Sequence, residues 1–194
     1  MESRTPGDMN RMFDKERIIH QIERTRLLTL QMIERVPHDR WFEMPTGITH
    51  VAWNVGHIAT AEYFLGLVFV RGLREEDAGM IPGNYAELFG YGSEPQADPD
   101  PYPSPDELMQ TLDAVHRQLL LETRAMPSEK LDEPPVFDDV WLDHHPMFDQ
   151  KGSALEIVAF HEHIHIGTIG LLRRELGSEP IDYFKESSEG RRFV

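Results

Sequence analysis

The sequence predicts an all-α fold, a four-helix bundle, and three observations predict it. Four stretches carry apolar residues at helical spacing. No alternating strand pattern of useful length interrupts them. One long connection separates the second from the third, as in bundles with a crossover. The 194 residues suit one domain, 1–194, with a single core.

The first helix is expected at about 13–36, where Ile18, Ile22, Leu27, Leu30 and Ile33 form an apolar stripe and Pro37 stops it. The second, about 47–72, holds more apolar residues and reads as the most buried, with Thr46 as a plausible N-cap. The third, about 105–126, opens on Ser104-Pro105-Asp106-Glu107, a capping box with proline at the first helical position. Its inner face is Leu108, Leu112, Val115 and Leu119. The fourth, about 154–176, repeats the logic with Ser153 and Glu156, and Gly177 stands where a left-handed glycine closes a helix.

The connection from Leu73 to Pro103 is too long to be structureless in a compact domain, so part of it is expected to be ordered. The segment before helix four could bring Trp141, His144, His145 and Phe148 to a pocket rim.

Composition excludes several functions. Nineteen basic against 34 acidic residues give a formal charge of −15, which disfavours gripping nucleic-acid phosphates. No cysteine is present, so disulfides, thiolate nucleophiles and Cys-ligated zinc are ruled out. The longest apolar run, 63–70, is far short of the roughly 20 residues that span a bilayer. The N-terminus has no apolar signal region. The expectation is a cytoplasmic protein with no membrane partner.

Ten histidines make imidazole the natural metal ligand. His161 and His165, at i and i+4, put two rings on one helix face. They lie in a stripe with Val158, Thr168 and Leu172, so the pair is read as facing inward. Two adjacent buried imidazoles are costly unless a shared cation satisfies them. A catalytic metal site needs a third ligand and an open position. The best third ligand is His57, midway along the most apolar helix beside Gly56. A glycine inside a helix costs roughly 1 kcal/mol relative to alanine, which makes sense if a neighbour or ligand approaches closely there. His50 shares the His57 face and is a candidate pocket or catalytic residue. Glu62 and Asn54 are candidates to support the ligands. His20, His38 and His116 read as surface or hydrogen-bonded residues, and His163 as a solvent or interface residue.

His161-Glu162-x-x-His165 also matches the zinc-protease signature, in which the glutamate is the general base. Against this, Leu171 stands where a metzincin has its third histidine, no strand edge is available for a peptide, and little chain remains for a further glutamate ligand. Glu162 stays a candidate base, though its place beside His161 also allows it to face solvent.

The stretches "WNVGHIATAE" and "HEHIHIGTIGLLRRELG", with "PSPDEL" opening helix three, resemble the DinB/YfiT-like metalloenzyme family over nearly the whole chain. "YAELFGYG" is faintly similar to the DinB-like domain of ergothioneine-synthesising enzymes. The resemblance implies an up-down-down-up bundle, a three-histidine divalent-metal site at His57, His161 and His165, and a homodimer. It further implies metal-dependent transfer of low-molecular-weight thiols. Thr168 departs from the glutamine that the family often has there.

The leading functional expectation is a metal-dependent transferase or hydrolase. In it Zn, Ni, Fe or Mn activates a thiol or water against a small electrophilic substrate. The alternative is a non-catalytic, metal-stabilised scaffold or dimerisation module. A DNA-related binding module is suggested only by the family's name, and the charge opposes it.

Overall fold

A computed structural model of the chain describes residues 12–136 and 147–181. Among these residues every regular element is a helix, arranged up-down-down-up as a four-helix bundle. Trp141, His144 and His145 lie outside the described residues.

Helix α1 (Lys15–Ile33) starts at Asp14, whose carboxylate accepts from the Arg17 amide. Its inner face differs from the expected leucine stripe. Ile18, Ile22, Thr25, Arg26, Thr29 and Ile33 are buried, whereas Leu27 and Leu30 are half-exposed. The helical period that begins at Ile18 and Ile22 lands on Thr25, Arg26 and Thr29, so polar side chains line the middle of the bundle.

Helix α2 (Val51–Glu62) runs on through a π-helical stretch (Tyr63–Val68) into α3 (Phe69–Arg71) and ends at Gly72 with φ 84°. The start lies four residues after the expected one, because His50 and not Thr46 caps the helix: its Nδ1 accepts from the Trp53 amide at 3.0 Å. At Gly66 a Cβ would stand 2.7 Å from a Leu119 methyl, so the glycine lets the two helices approach closely. Tyr63 and Arg71 both reach Asp77, which ties the following segment to the bundle.

The long connection is partly ordered, as its length demanded. It holds a 3₁₀ turn (Glu75–Gly79) and a short helix α4 (Tyr85–Phe89). Its length also lets the next helix run parallel to α2. That helix, α5 (Pro105–Ala125), shows the expected capping box, with Ser104 and Glu107 bonded reciprocally. Helix α6 (Lys151–Glu175) begins at Gln150, earlier than expected; Ser153 is inside the helix and donates to Asp149. Gly177, at φ 82°, takes the left-handed turn expected of it. Phe148 packs edge-on against Phe69, centroids 5.8 Å apart, in the apolar cluster of Ile18, Leu67 and Leu155.

Helix α1 packs on α6, and α2 lies between α5 and α6. A second apolar cluster, around Trp41, Val55, Phe89, Leu112 and Leu172, fills the other end. A polar cluster built from all four long helices lies in the interior. Arg26 Nε donates to Glu162 at 2.8 Å, Nη2 to Glu62 at 2.7 Å, and Nη1 to the Leu112 carbonyl at 3.1 Å. Thr29 adds a 2.6 Å bond to Glu162, and His116 a 2.7 Å bond to Glu62. Arg26, Glu62 and Glu162 are each under 5% exposed. Their hydrogen bonds and opposite charges are what allow such groups in an apolar interior. No helix among the described residues is long and apolar enough to cross a membrane.

Candidate metal centre

Helices α2 and α6 bring His57, His161 and His165 together. One ring nitrogen from each lies within 4.8 Å of the others. His57 Nε2 and His161 Nε2 are 3.1 Å apart. Two nitrogens each about 2.0–2.1 Å from one ion can be that close. The ring centroids are 5.0 Å apart for His57–His161 and 4.7 Å for each of the other two pairs.

Each approach has a local cause. The i, i+4 spacing stacks His161 above His165 on α6. His57 is aimed from α2 by two contacts: Trp53 stacks on its ring at 4.6 Å with planes 13° apart, and its Nδ1 donates to the Phe89 carbonyl at 2.5 Å. The second contact depends on Gly56, where a Cβ would meet the Phe89 ring at 2.5 Å. Glycine there admits the end of α4, and α4 then presents its last carbonyl to His57. We expect Gly56→Ala to displace Phe89. The overpacking, about 1–3 kcal/mol, should outweigh a helix-propensity gain of roughly 1 kcal/mol. The urea midpoint should fall; a raised midpoint would refute the close approach.

His165 is held differently. Its Nδ1 lies 2.8 Å from Asn54 Oδ1. The Asn54 amide nitrogen donates to the His50 carbonyl at 2.9 Å and to Thr49 Oγ1 at 3.0 Å.

Burial pushes all three rings down in pKa. His57 is lowered, with the Phe89 carbonyl pulling the other way. His161 is lowered to about 4 by burial and then by His57. His165 is lowered to about 3 by burial and then by His161 and His57. At neutral pH the three are uncharged imidazoles, the form that ligates metal. Uncharged nitrogen donors, two of them with the other ring nitrogen hydrogen-bonded to an oxygen, fit a divalent transition-metal ion. His57 and His161 are half-buried, so the described residues do not seal the shared point inside the bundle.

The remaining sequence candidates fall elsewhere. Glu162 does not face solvent: it is 1% exposed and committed to Arg26 and Thr29. A carboxylate so held is in no position to serve as the base of a zinc protease. His50 is fully buried between Phe42 and Tyr102, its Nδ1 used as the α2 cap and its pKa pushed down to about 4 by burial. Glu62 belongs to the Arg26 cluster. His163 is exposed, and its Nδ1 donates to the Ala159 carbonyl at 2.7 Å. Three contributors escaped the sequence reading: the Phe89 carbonyl, Thr49 and the stacked Trp53. Only Trp53 had a signal there, four residues before His57 on the same helix face.

Comparison with known proteins agrees with the fold. A family model described as the DinB superfamily matches residues 21–169. A solved structure that aligns with the chain is YfiT from Bacillus subtilis, described as a probable metal-dependent hydrolase with an unusual four-helix bundle topology. The TM-score is 0.52 at 18% identity, over 92% of this chain and 93% of that one. No curated protein matches the sequence.

Proposed function

The chain belongs to the DinB superfamily, and from that premise we propose that it is a divalent-metal enzyme, with His57, His161 and His165 as ligands, that acts on a small electrophile. The observation behind this is the convergence of three ring nitrogens, at least two of them freed by hydrogen bonds at the opposite nitrogen of the same ring. A bound divalent ion would supply Lewis acidity, lowering the pKa of a coordinated water or thiol toward neutrality.

The chain's own residues do the rest. Trp53 and the Phe89 carbonyl hold His57. Asn54 holds His165. Arg26 keeps Glu162 engaged, so among the described residues the centre is built of neutral donors with no carboxylate among them. A cation there keeps its full charge, which favours an anionic guest such as hydroxide or thiolate. Zinc and nickel suit three imidazoles, and iron or manganese remain compatible. The nucleophile is water, as in the hydrolase description of YfiT, or a low-molecular-weight thiol. A second copy of the chain would cover the exposed apolar edge of α6 formed by Phe160, Ile164 and Leu171.

One preparation tests these points. Protein purified from its own host should hold close to one transition-metal ion per chain by elemental mass spectrometry. It should run as a dimer in light scattering, and should convert members of an electrophile panel only while metal is present. Absence of a stoichiometric metal would sink the reading. A large fall in melting temperature on chelation with no turnover on water or thiol would support the non-catalytic scaffold instead.

A further inference from the structure

The hydrogen bonds around Asn54 form a directed chain whose last member is a proposed ligand. The His50 carbonyl can only accept, so the Asn54 atom facing it at 2.9 Å is the amide nitrogen. The second hydrogen of that nitrogen goes to Thr49 Oγ1 at 3.0 Å. The amide orientation is thereby fixed, and Oδ1 must face His165. An amide oxygen can only accept, so the ring nitrogen 2.8 Å away, Nδ1, carries the hydrogen. In a neutral ring Nε2 is then the bare nitrogen. An imidazole side chain free in water favours the opposite tautomer, with hydrogen on Nε2, and that form cannot ligate through Nε2.

We propose that Asn54 is a positioning residue for His165: anchored by the His50 carbonyl and Thr49, it forces the Nδ1–H tautomer and so keeps Nε2 available to a divalent ion. The inference rests on the metal reading above, but the tautomer itself exists without metal. Asn54 is 1% exposed and His165 9% exposed, so water cannot readily replace the amide oxygen as acceptor. The role differs from that of the Phe89 carbonyl, which fixes His57 in the same way from a main-chain atom and cannot be removed by a side-chain change. Asn54 is therefore the point at which the second-layer contacts can be tested by substitution.

Two substitutions separate positioning from mere packing. Asn54→Leu keeps the volume and removes the acceptor. Asn54→Asp keeps an acceptor for His165 but sets a carboxylate oxygen against the His50 carbonyl, so it should cost stability while sparing the tautomer. Long-range ¹⁵N–¹H correlation spectra of chelator-treated full-length protein, at mildly alkaline pH, read the tautomer directly. Competition with a chromogenic chelator reads zinc affinity. Wild type should show hydrogen on His165 Nδ1. Asn54→Leu should revert to hydrogen on Nε2 and bind zinc about 10–100-fold more weakly, the range typical of lost outer contacts to a metal ligand. Asn54→Asp should keep the wild-type tautomer and most of the affinity despite a lower melting temperature.

Hydrogen on Nε2 of His165 in wild type would overturn the proposal without any variant having to fold. So would Asn54→Leu binding zinc within about twofold of wild type, or zinc affinity that tracked melting temperature across the two variants. Wild type that bound no zinc while showing the Nδ1–H tautomer would fail the metal reading instead, and with it any role for Asn54 in ligation.

Discussion

Arg26→Leu should be the most destabilising single change in this protein that leaves its apolar packing largely intact. Arg26 is 4% exposed, and its guanidinium holds the carboxylates of Glu62 and Glu162, residues that are 2% and 1% exposed. Burial disfavours the charged form of Arg26, but the two glutamates more than reverse this and raise its pKa above the ordinary arginine value. Removing it leaves two buried negative charges with, among the described residues, Thr29 and His116 as partners. Breaking a buried pair in this way costs about 3–5 kcal/mol. For a domain of this size that is a fall of roughly 6–20 °C in melting temperature. A fall of less than about 2 °C would mean that the cluster is not the buried network described.

The loss should also depend on pH, with a definite sign. In wild type, burial pushes the Glu62 carboxyl up, but Arg26 and the hydrogen bond from His116 outweigh it and hold it below the usual range. A depressed carboxylate contributes stability that is present above its unfolded pKa and lost as pH falls through the lower folded value. Without Arg26, burial dominates, Glu162 faces the same cavity, and the folded pKa of Glu62 rises above the unfolded one. The variant then loses stability as pH rises between those two values. The gap between wild type and variant should therefore be smallest at mildly acidic pH and widen as pH rises through that interval, levelling off above it. Replacing both glutamates by glutamine in the Arg26→Leu background should recover part of the loss, because neutral amides carry a smaller desolvation penalty than orphaned carboxylates.

That cluster also shows where sequence reading succeeds and where it stops. The capping box at Ser104 and the left-handed turn at Gly177 were legible because one residue type at one position has a single local reason to be there. Gly56 announced a close neighbour without naming it, since nothing in a sequence pairs position 56 with position 89. The middle of α1 departs from its apolar stripe because period outweighs residue type: Leu27 and Leu30 have core-like side chains, yet Thr25, Arg26 and Thr29 hold the inward register. From sequence Glu162 can face solvent or serve catalysis, because its partner Arg26 lies 136 positions earlier in the chain. The late start of α2 escaped because histidine is not among the usual capping residues, yet an Nδ1 lone pair serves the same purpose for the Trp53 amide. At the candidate metal centre, the His161/His165 spacing is local and readable. The Phe89 carbonyl is not, because a main-chain acceptor has no signature in residue type.

His57→Ala should abolish stoichiometric metal binding while leaving the bundle folded. The remaining pair, His161 and His165, comes from one helix, and two imidazoles one turn apart hold a divalent ion far less firmly than three from two helices. The loss should exceed the 10–100-fold that follows removal of an outer contact. Folding should survive because the apolar cluster around Val55, Ile58, Leu112 and Leu172 does not include the ring. What the deletion leaves unpaired is the Phe89 carbonyl, a penalty of at most about 1–3 kcal/mol. Thermal shift gives the cleanest reading. Wild type at a free zinc concentration of about 100 times Kd should gain about 2.7 kcal/mol of stability, and His57→Ala at the same concentration should gain almost none. His163→Ala is the matched control: that ring lies two residues from His161 but is exposed and bonded to the Ala159 carbonyl, so its removal should leave the zinc-dependent shift intact. If His57→Ala kept the full shift and His163→Ala lost it, the ligand set would have to include His163 and exclude His57, and the juxtaposition of α2 with α6 would need a purely structural explanation.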